Sequence, residues 1–468
     1  MELACHTTIK TVEDYYQLND TLVYVRDLRH QAPKLLNEIE KLQIKMYDTN
    51  CGRRSNGRWV NCSIYGRRAP ETYQIKFSNN CVLVDYSLFD KDPNASEEEM
   101  MRVAREIAKL AGEVKPLMTG CKIIQEMLNN KGRALAPDRF NDVEKDPYNY
   151  EILCEAKKGG ANHITTHEVV PFETHIDYHQ LYASVMVSRD FPLSNTAVYM
   201  DGYYKHPFAI YSIARGYAKV KEDGFPILPS LTKVNGAAGA DGNWFNLVEE
   251  IGSLCDPDLE LLYKNYDVKN LEINCTIYYA NSRPGKQDFG PMINKLYQGR
   301  LNAKTPALKR LYKTLNQYSA GYFERDERKG RRWRNTSENK ENNVTMKNPM
   351  VGIFILAYAR QKLDELLTLF SHDKVIGYDT DCVFFAGTPN EIPKIVEQRM
   401  GSEMGQLHYD GILENVTHVA CKHYYGYDWE KGENFYKCSG MSKSGYQYRW
   451  NRETKEYELR EVKKDEKR

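Results

Sequence analysis

Long apolar runs are missing from this 468-residue chain. None approaches the roughly 18 residues that a membrane span needs, and MELACHTTIK lacks a signal peptide's basic-then-apolar order, so a cytoplasmic protein with no membrane partner is expected. Charge of one sign is missing as well. With 65 Lys+Arg against 64 Asp+Glu the net charge is +1, which excludes a dominantly basic scaffold and an acidic disordered tail but not a local basic groove. The 11 cysteines are odd in number and scattered, with no CxxC pair, so reduced, mostly buried thiols are expected rather than a disulfide framework or a zinc site. No internal repeat is visible. What is abundant is tyrosine, at 34 residues, a side chain suited both to cores and to platforms for sugars and bases. The length is enough for about three domains with a cleft between lobes.

Along the chain, YQIKF and CVLVDY read as strands joined by a Ser78-Asn79-Asn80 turn. Ser96 and Glu99 form a capping box for a helix with the apolar stripe Met100, Val103, Ile107, Leu110 and Val114, ended by Pro116. Helices are expected over Leu301–Tyr322 and Gly352–Phe370, separated by the low-complexity segment 324–343.

Four segments carry chemistry. VIGYDTDCVFFAG reads as a hairpin with Asp379 and Asp381 at its tip, two residues apart and able to point the same way. Close carboxylates ask for a hard divalent cation, although a solvated Asx turn has the same signature. In FETHIDYHQLYASVM, Asp177 ends an extended run, where a strand-end carboxylate would face a cleft. Three acidic groups from two strands suit two Mg²⁺ ions and a triphosphate. His175 and His179 flank Asp177, but without a Cys or HExxH partner they read as solvent-facing or hydrogen-bonded. Lys309 and Lys313 share a helical face and would neutralise phosphates. Lys422 and Tyr424 alternate on an expected strand, a cation and an aromatic for a nucleic-acid backbone. Arg325, Arg328, Lys329, Arg331, Arg332 and Arg334, with Trp333 among them, make a basic cluster suited to non-specific backbone contact.

Taken in order, these segments resemble the family B DNA polymerases, most closely the protein-primed branch of phages and linear plasmids. HIDYHQLYASVM is similar to D-x-x-S-L-Y-P, GYDTDCVFF to Y-x-D-T-D-S, LKRLYKTLNQYSAGYF to K-x-x-x-N-S-x-Y-G, and CKHYYGY and YKCSGM to K-x-Y and K-C-x-G-M. The resemblance implies an α+β right-hand fold, with an antiparallel palm sheet, fingers and a small thumb, after a degenerate RNase H-like N-terminal domain. It implies an N-terminal region over 1–155, palm and fingers over 156–440, and a reduced thumb over 441–468. Insertions at 190–285 and 322–347 would match the two terminal-protein regions. Asp177, Asp379 and Asp381 would be catalytic and hold two Mg²⁺, or Mn²⁺ as a substitute, together with the backbone carbonyl of Tyr178. Tyr182, Lys309, Lys313 and Gln317 would bind the nucleotide. Lys422, Tyr424, Gly159, Gly160, Arg328, Arg331 and Arg332 would contact primer and template. Implied partners are template and primer DNA, deoxynucleoside triphosphates and a terminal protein, for a monomer in a bacterial host's cytoplasm if phage-encoded.

The chain departs from the family pattern at Cys382, Gly377, Ala183, Gln317 and Ala320, and KKGG at 157–160 stands where Y-x-G-G would be. No strand-borne D-x-E precedes residue 100, and Met101 and Arg105 fill positions of the nuclease's Y-x-x-x-D helix. Loss of proofreading is therefore expected, since a two-metal nuclease cannot place Arg where a ligand carboxylate must be. Two other readings stay open: a replication factor that binds DNA or a terminal protein without catalysis, and a specialised lesion-tolerant or self-priming polymerase.

Overall fold

The computed structural model describes residues 1–28, 74–129 (apart from 78, 91 and 115–119), 141–232, 244–324 and 349–438, with short backbone segments between 31 and 65 and two strands after 445. The basic cluster with Arg328, Arg331 and Arg332 lies outside the described residues. The chain divides into two compact units, one of Met1–Phe140, Met186–Asn195 and Asn281–Gly352, the other of Asn141–Val185, Thr196–Ala280 and Ile353–Arg468.

The first unit is built on a mixed sheet in which Glu2–His6, Thr21–Val25 and Val82–Asp85 run parallel and Gln74–Phe77 returns antiparallel. The run TLVYV is buried at every position, as a central strand requires. Val23, Val25, Ile75, Phe77 and Leu83 pack with Tyr15. Asn79-Asn80 turns the hairpin, with Asn80 at φ 61°. Helix Glu97–Ala111 has the Ser96/Glu99 capping box, and Met100, Val103, Ile107 and Leu110 are buried. It stops at Gly112, whose φ of 87° gives a left-handed C-cap, so it ends before Val114 and Pro116. The expected helix from Leu301 is two helices, Gly290–Leu301 and Pro306–Glu324. Thr305 accepts the Leu308 amide at 3.3 Å and restarts the chain before Pro306.

In the second unit, strands drawn from residues 197–220 and 245–279 form a sheet that sequence periodicity did not reveal. Strands Ala209–Val220 and Tyr266–Tyr279 pair over most of their length, flanked by Ala197–Asp201 and by Phe245–Asn246 and Ser253–Cys255. Three register irregularities in the central pair break the period-2 pattern, which hides it from a sequence reading. A separate seven-stranded antiparallel sheet holds β1 (Asn162–Ile164), β2 (Val170–Tyr178), β3 (Val375–Asp379), β4 (Cys382–Ala386), β5 (Leu407–Ala420), β6 (His423–Asp428) and β7 (Glu433–Cys438). Their spatial order is β7-β6-β5-β2-β4-β3-β1. On one side of β2, the Tyr178 hydroxyl donates to the Lys362 carbonyl in helix Pro349–Leu367 at 3.1 Å.

Candidate active site

The hairpin β3–β4 forms as expected, with Asp379 opposite Cys382 and Thr380 at φ 65°. The Asp381 amide donates to the Asp379 carbonyl at 2.7 Å, and the Tyr178 amide donates to the Asp381 carbonyl at 3.2 Å. Asp177, near the end of β2, sits directly beside Cys382 on β4 and His408 on β5. The register thus gathers Asp177, Asp379 and Asp381 at one end of the sheet and adds Asp410, two residues beyond His408 and next to an irregularity in β5.

Electrostatics at this end favour a cation. Burial, then the charges of Asp381 and Asp410, push the Asp177 carboxyl well above the usual carboxylate range. Burial, then Asp379, does the same to Asp381. Asp177 Oδ1 is buried with no hydrogen-bond partner among the described residues. A buried carboxylate oxygen without a donor, among further carboxylates, fits a divalent cation. Asp177, His408 and Asp410 place one donor atom each within 4.8 Å of one another.

Two lysines border the cluster. Lys422 Nζ lies 2.8 Å from Asp379 Oδ1. Lys422 is not on a strand: it occupies the two-residue turn between β5 and β6 with φ 64°. Lys437, opposite Tyr424 on β7, has its ammonium 5.4 Å from the Tyr424 ring and draws the Asp177 pKa down. Tyr424 is only 2% exposed, so its ring is a packing element and not an open platform. It meets His175 and His418, at ring separations of 5.5 and 5.0 Å. Both histidines bond to Glu173, a fully buried carboxylate, at 2.5 and 2.7 Å. His175 is accordingly hydrogen-bonded rather than a ligand. Burial opposes the Glu173 anion, but those two bonds and the imidazole charges outweigh it and hold its pKa down at about 2.

Gly160 lies under the turn of the β3–β4 hairpin. A Cβ there would meet Thr380 Oγ1 at 2.9 Å, whereas one at Gly159 would meet nothing within 4 Å. The Thr380 amide donates to the Ala161 carbonyl at 2.7 Å, tying the two segments together. Arg360, 1% exposed, braces the glycine segment by donating to the Lys158 and Gly159 carbonyls at 3.2 and 2.5 Å. Its other nitrogens grip Asp258 at 2.8 and 2.6 Å. Tyr182 is half-buried in the first turn of helix Leu181–Ser188. Lys309, Lys313 and Gln317 belong to the other unit, where i, i+4, i+8 spacing puts all three on one exposed face of Pro306–Glu324.

The sequence reading missed His408, Asp410, Lys437 and Arg360. His408 and Asp410 carry no local motif, since only the pairing of β5 with β2 brings them to Asp177. Lys437 was within reach, standing inside YKCSGM.

A sheet end carrying carboxylates from β2, the β3–β4 hairpin and β5, within an α+β chain, is the architecture of a polymerase fold, and the solved structures agree. The chain matches Phi29 DNA polymerase complexed with primer-template DNA and incoming nucleotide substrates at a TM-score of 0.70, with 16% identity over 92% of this chain and 86% of that one. The post-translocation binary complex with primer-template DNA and the orthorhombic crystal form match at 0.67 and 0.68, with the same identity and coverage. At that identity the likeness establishes the fold. No protein-family model and no curated protein matches the sequence.

Proposed function

We propose that the chain is a template-directed DNA polymerase of the protein-primed family B kind, adding deoxynucleotides to a 3′-hydroxyl or to a protein hydroxyl. The carboxylate cluster around Asp177, inside a fold shared with Phi29 DNA polymerase, is the observation that carries this reading. Asp177, Asp379 and Asp381, with the Tyr178 carbonyl, would hold two Mg²⁺ or Mn²⁺ ions. When bound, such ions lower the pKa of an attacking hydroxyl and offset charge on a leaving pyrophosphate. Lys309, Lys313 and Gln317 present donors along one helix face, suited to a triphosphate. Tyr182 would block a ribose 2′-hydroxyl. Lys422 would meet the primer end, with Tyr424 anchoring its turn from within the sheet. Gly159 and Gly160 offer close backbone approach to template, and Arg328, Arg331 and Arg332 a cationic contact in the 322–347 insertion.

The same reading assigns residues 1–155 to a degenerate exonuclease-like domain, 190–285 to a terminal-protein-contacting region and 441–468 to a reduced thumb, in a monomer acting in the cytoplasm. Loss of proofreading is supported by Met101 and Arg105, and by the structural employment of nearby acids. Asp90 is gripped by Arg310 at 2.6 and 2.9 Å, and Asp85 accepts the Leu28 and Ser87 amides. Primer extension with Mg²⁺ tests the proposal: wild type extends and Asp379→Ala does not. Equal inertness of both would sink it. Mg²⁺-dependent trimming of a 3′-mismatched primer would refute the loss of proofreading.

A further inference from the structure

We propose that His408 is a nitrogen ligand at the carboxylate cluster, so that with Asp177 and Asp410 it forms a mixed imidazole–carboxylate site selecting a first-row transition cation over Mg²⁺. This rests on the metal-binding part of the function proposed above and goes beyond the three aspartates invoked there.

Three observations converge. The donor atoms of Asp177, His408 and Asp410 lie within 4.8 Å of one another, close enough to share one ion. Asp177 Oδ1, held between β4 and β5, is a buried acceptor with no hydrogen-bond donor among the described residues, so the cluster contains an oxygen whose burial an ion would offset. The third concerns the ring itself. His408 stacks face to face on His179 at 3.8 Å with an interplanar angle of 3°, while the His179 backbone is pinned to the chain just before β5 through Gln406 and Gly405 at 2.8 and 2.7 Å. That stack fixes the plane of the imidazole beside Asp177, as a ligand requires. β5 therefore brings two donors of different hardness to one place, an imidazole at 408 and a carboxylate at 410. Mg²⁺ is served by oxygen ligands and retained waters, whereas an imidazole adds affinity for transition ions.

The test uses the full chain and Mn²⁺ alone, without primer or nucleotide. Pulsed electron paramagnetic resonance of bound Mn²⁺ should show coupling to a directly ligated ¹⁴N. His408→Gln should abolish that coupling and weaken Mn²⁺ binding by about tenfold or more, the scale of losing a ligand-shell group. Mg²⁺ binding, read by competition, should change much less. His179→Ala, which removes the stacked ring but keeps the donor, should retain the coupling, and circular dichroism confirms that both variants fold. Absence of bound Mn²⁺, bound Mn²⁺ without nitrogen coupling, or coupling that survives His408→Gln overturns the proposal. Because no synthesis is measured, a chain that shows the coupling but extends no primer overturns only the proposed function.

Discussion

Gly159 and Gly160 are adjacent, yet only one is sterically committed. A methyl at 160 would press on Thr380 Oγ1 and Cγ2, at 2.9 and 3.0 Å, and Thr380 is the φ 65° residue that holds Asp379 and Asp381 in their turn. Gly160→Ala should therefore lower the turnover number by roughly 10- to 100-fold, the consequence of sub-ångström misplacement at a reacting centre. Gly159→Ala, whose Cβ would meet nothing within 4 Å, should leave the turnover number nearly unchanged and act only on the affinity for template-primer. Steady-state extension kinetics on both variants decide the matter, and a Gly159→Ala defect as large as that of Gly160→Ala would remove the steric explanation. At this scale the sequence was readable where chemistry and local spacing coincide, as in Asp379-Thr380-Asp381. It was silent where a residue's role depends on a strand partner about 230 positions away, as for Asp177 with His408.

Helix Pro349–Leu367 and helix Asp256–Asn265 are tied by the buried ion pair of Arg360 with Asp258, 1% and 0% exposed, and also by Lys264 and Asn265, which both bond to Asp364. Removing one member strands the other charge in the interior, so Arg360→Met should destabilise the fold by about 3–5 kcal/mol. It should also loosen the 158–159 carbonyls that Arg360 braces. The double variant Arg360→Met/Asp258→Leu should recover much of that stability. Urea unfolding of the three proteins measures both, and a double variant as weak as the single one would refute the stranded-charge account. Elements were legible where their signals are local. The Ser96 capping box and the acidic hairpin stand where their residues put them, whereas the break at 302–305 and the turn at Lys422 depend on single positions that periodicity averages away.

Across the whole molecule, a net charge of +1 conceals an acidic sheet end and a separate helix face carrying Lys309 and Lys313. The raised carboxyls of Asp177 and Asp381 have a consequence with a definite sign. Between the ordinary carboxylate range near pH 4 and their raised values, the metal-free folded chain binds more protons than the unfolded chain. Stability from these groups is thus fully present at low pH and falls as pH rises through that window. A divalent cation held there, as the proposed function requires, would take the place of the protons. The rise in Tm on adding Mg²⁺ should then grow from pH 5 to pH 8.5, and Asp177→Asn should raise metal-free stability at pH 8 by about 1 kcal/mol or more. Thermal melts with Mg²⁺ or a chelator test this, and a Mg²⁺ effect independent of pH would contradict it. The sheet built on Ala209–Val220 and Tyr266–Tyr279 stayed hidden because that long central pair carries register irregularities rather than clean alternation.

Two demands meet at Lys422, in the turn between β5 and β6. A non-glycine residue at φ 64° is conformationally disfavoured by roughly 1 kcal/mol, and glycine would relieve it. Glycine would also delete the ammonium that lies 2.8 Å from Asp379. Backbone comfort and charge placement therefore pull position 422 in opposite directions. A lineage freed from the need to manage Asp379 would drift toward glycine or asparagine at this turn, so the identity of residue 422 in related chains records whether the acidic site is still in use.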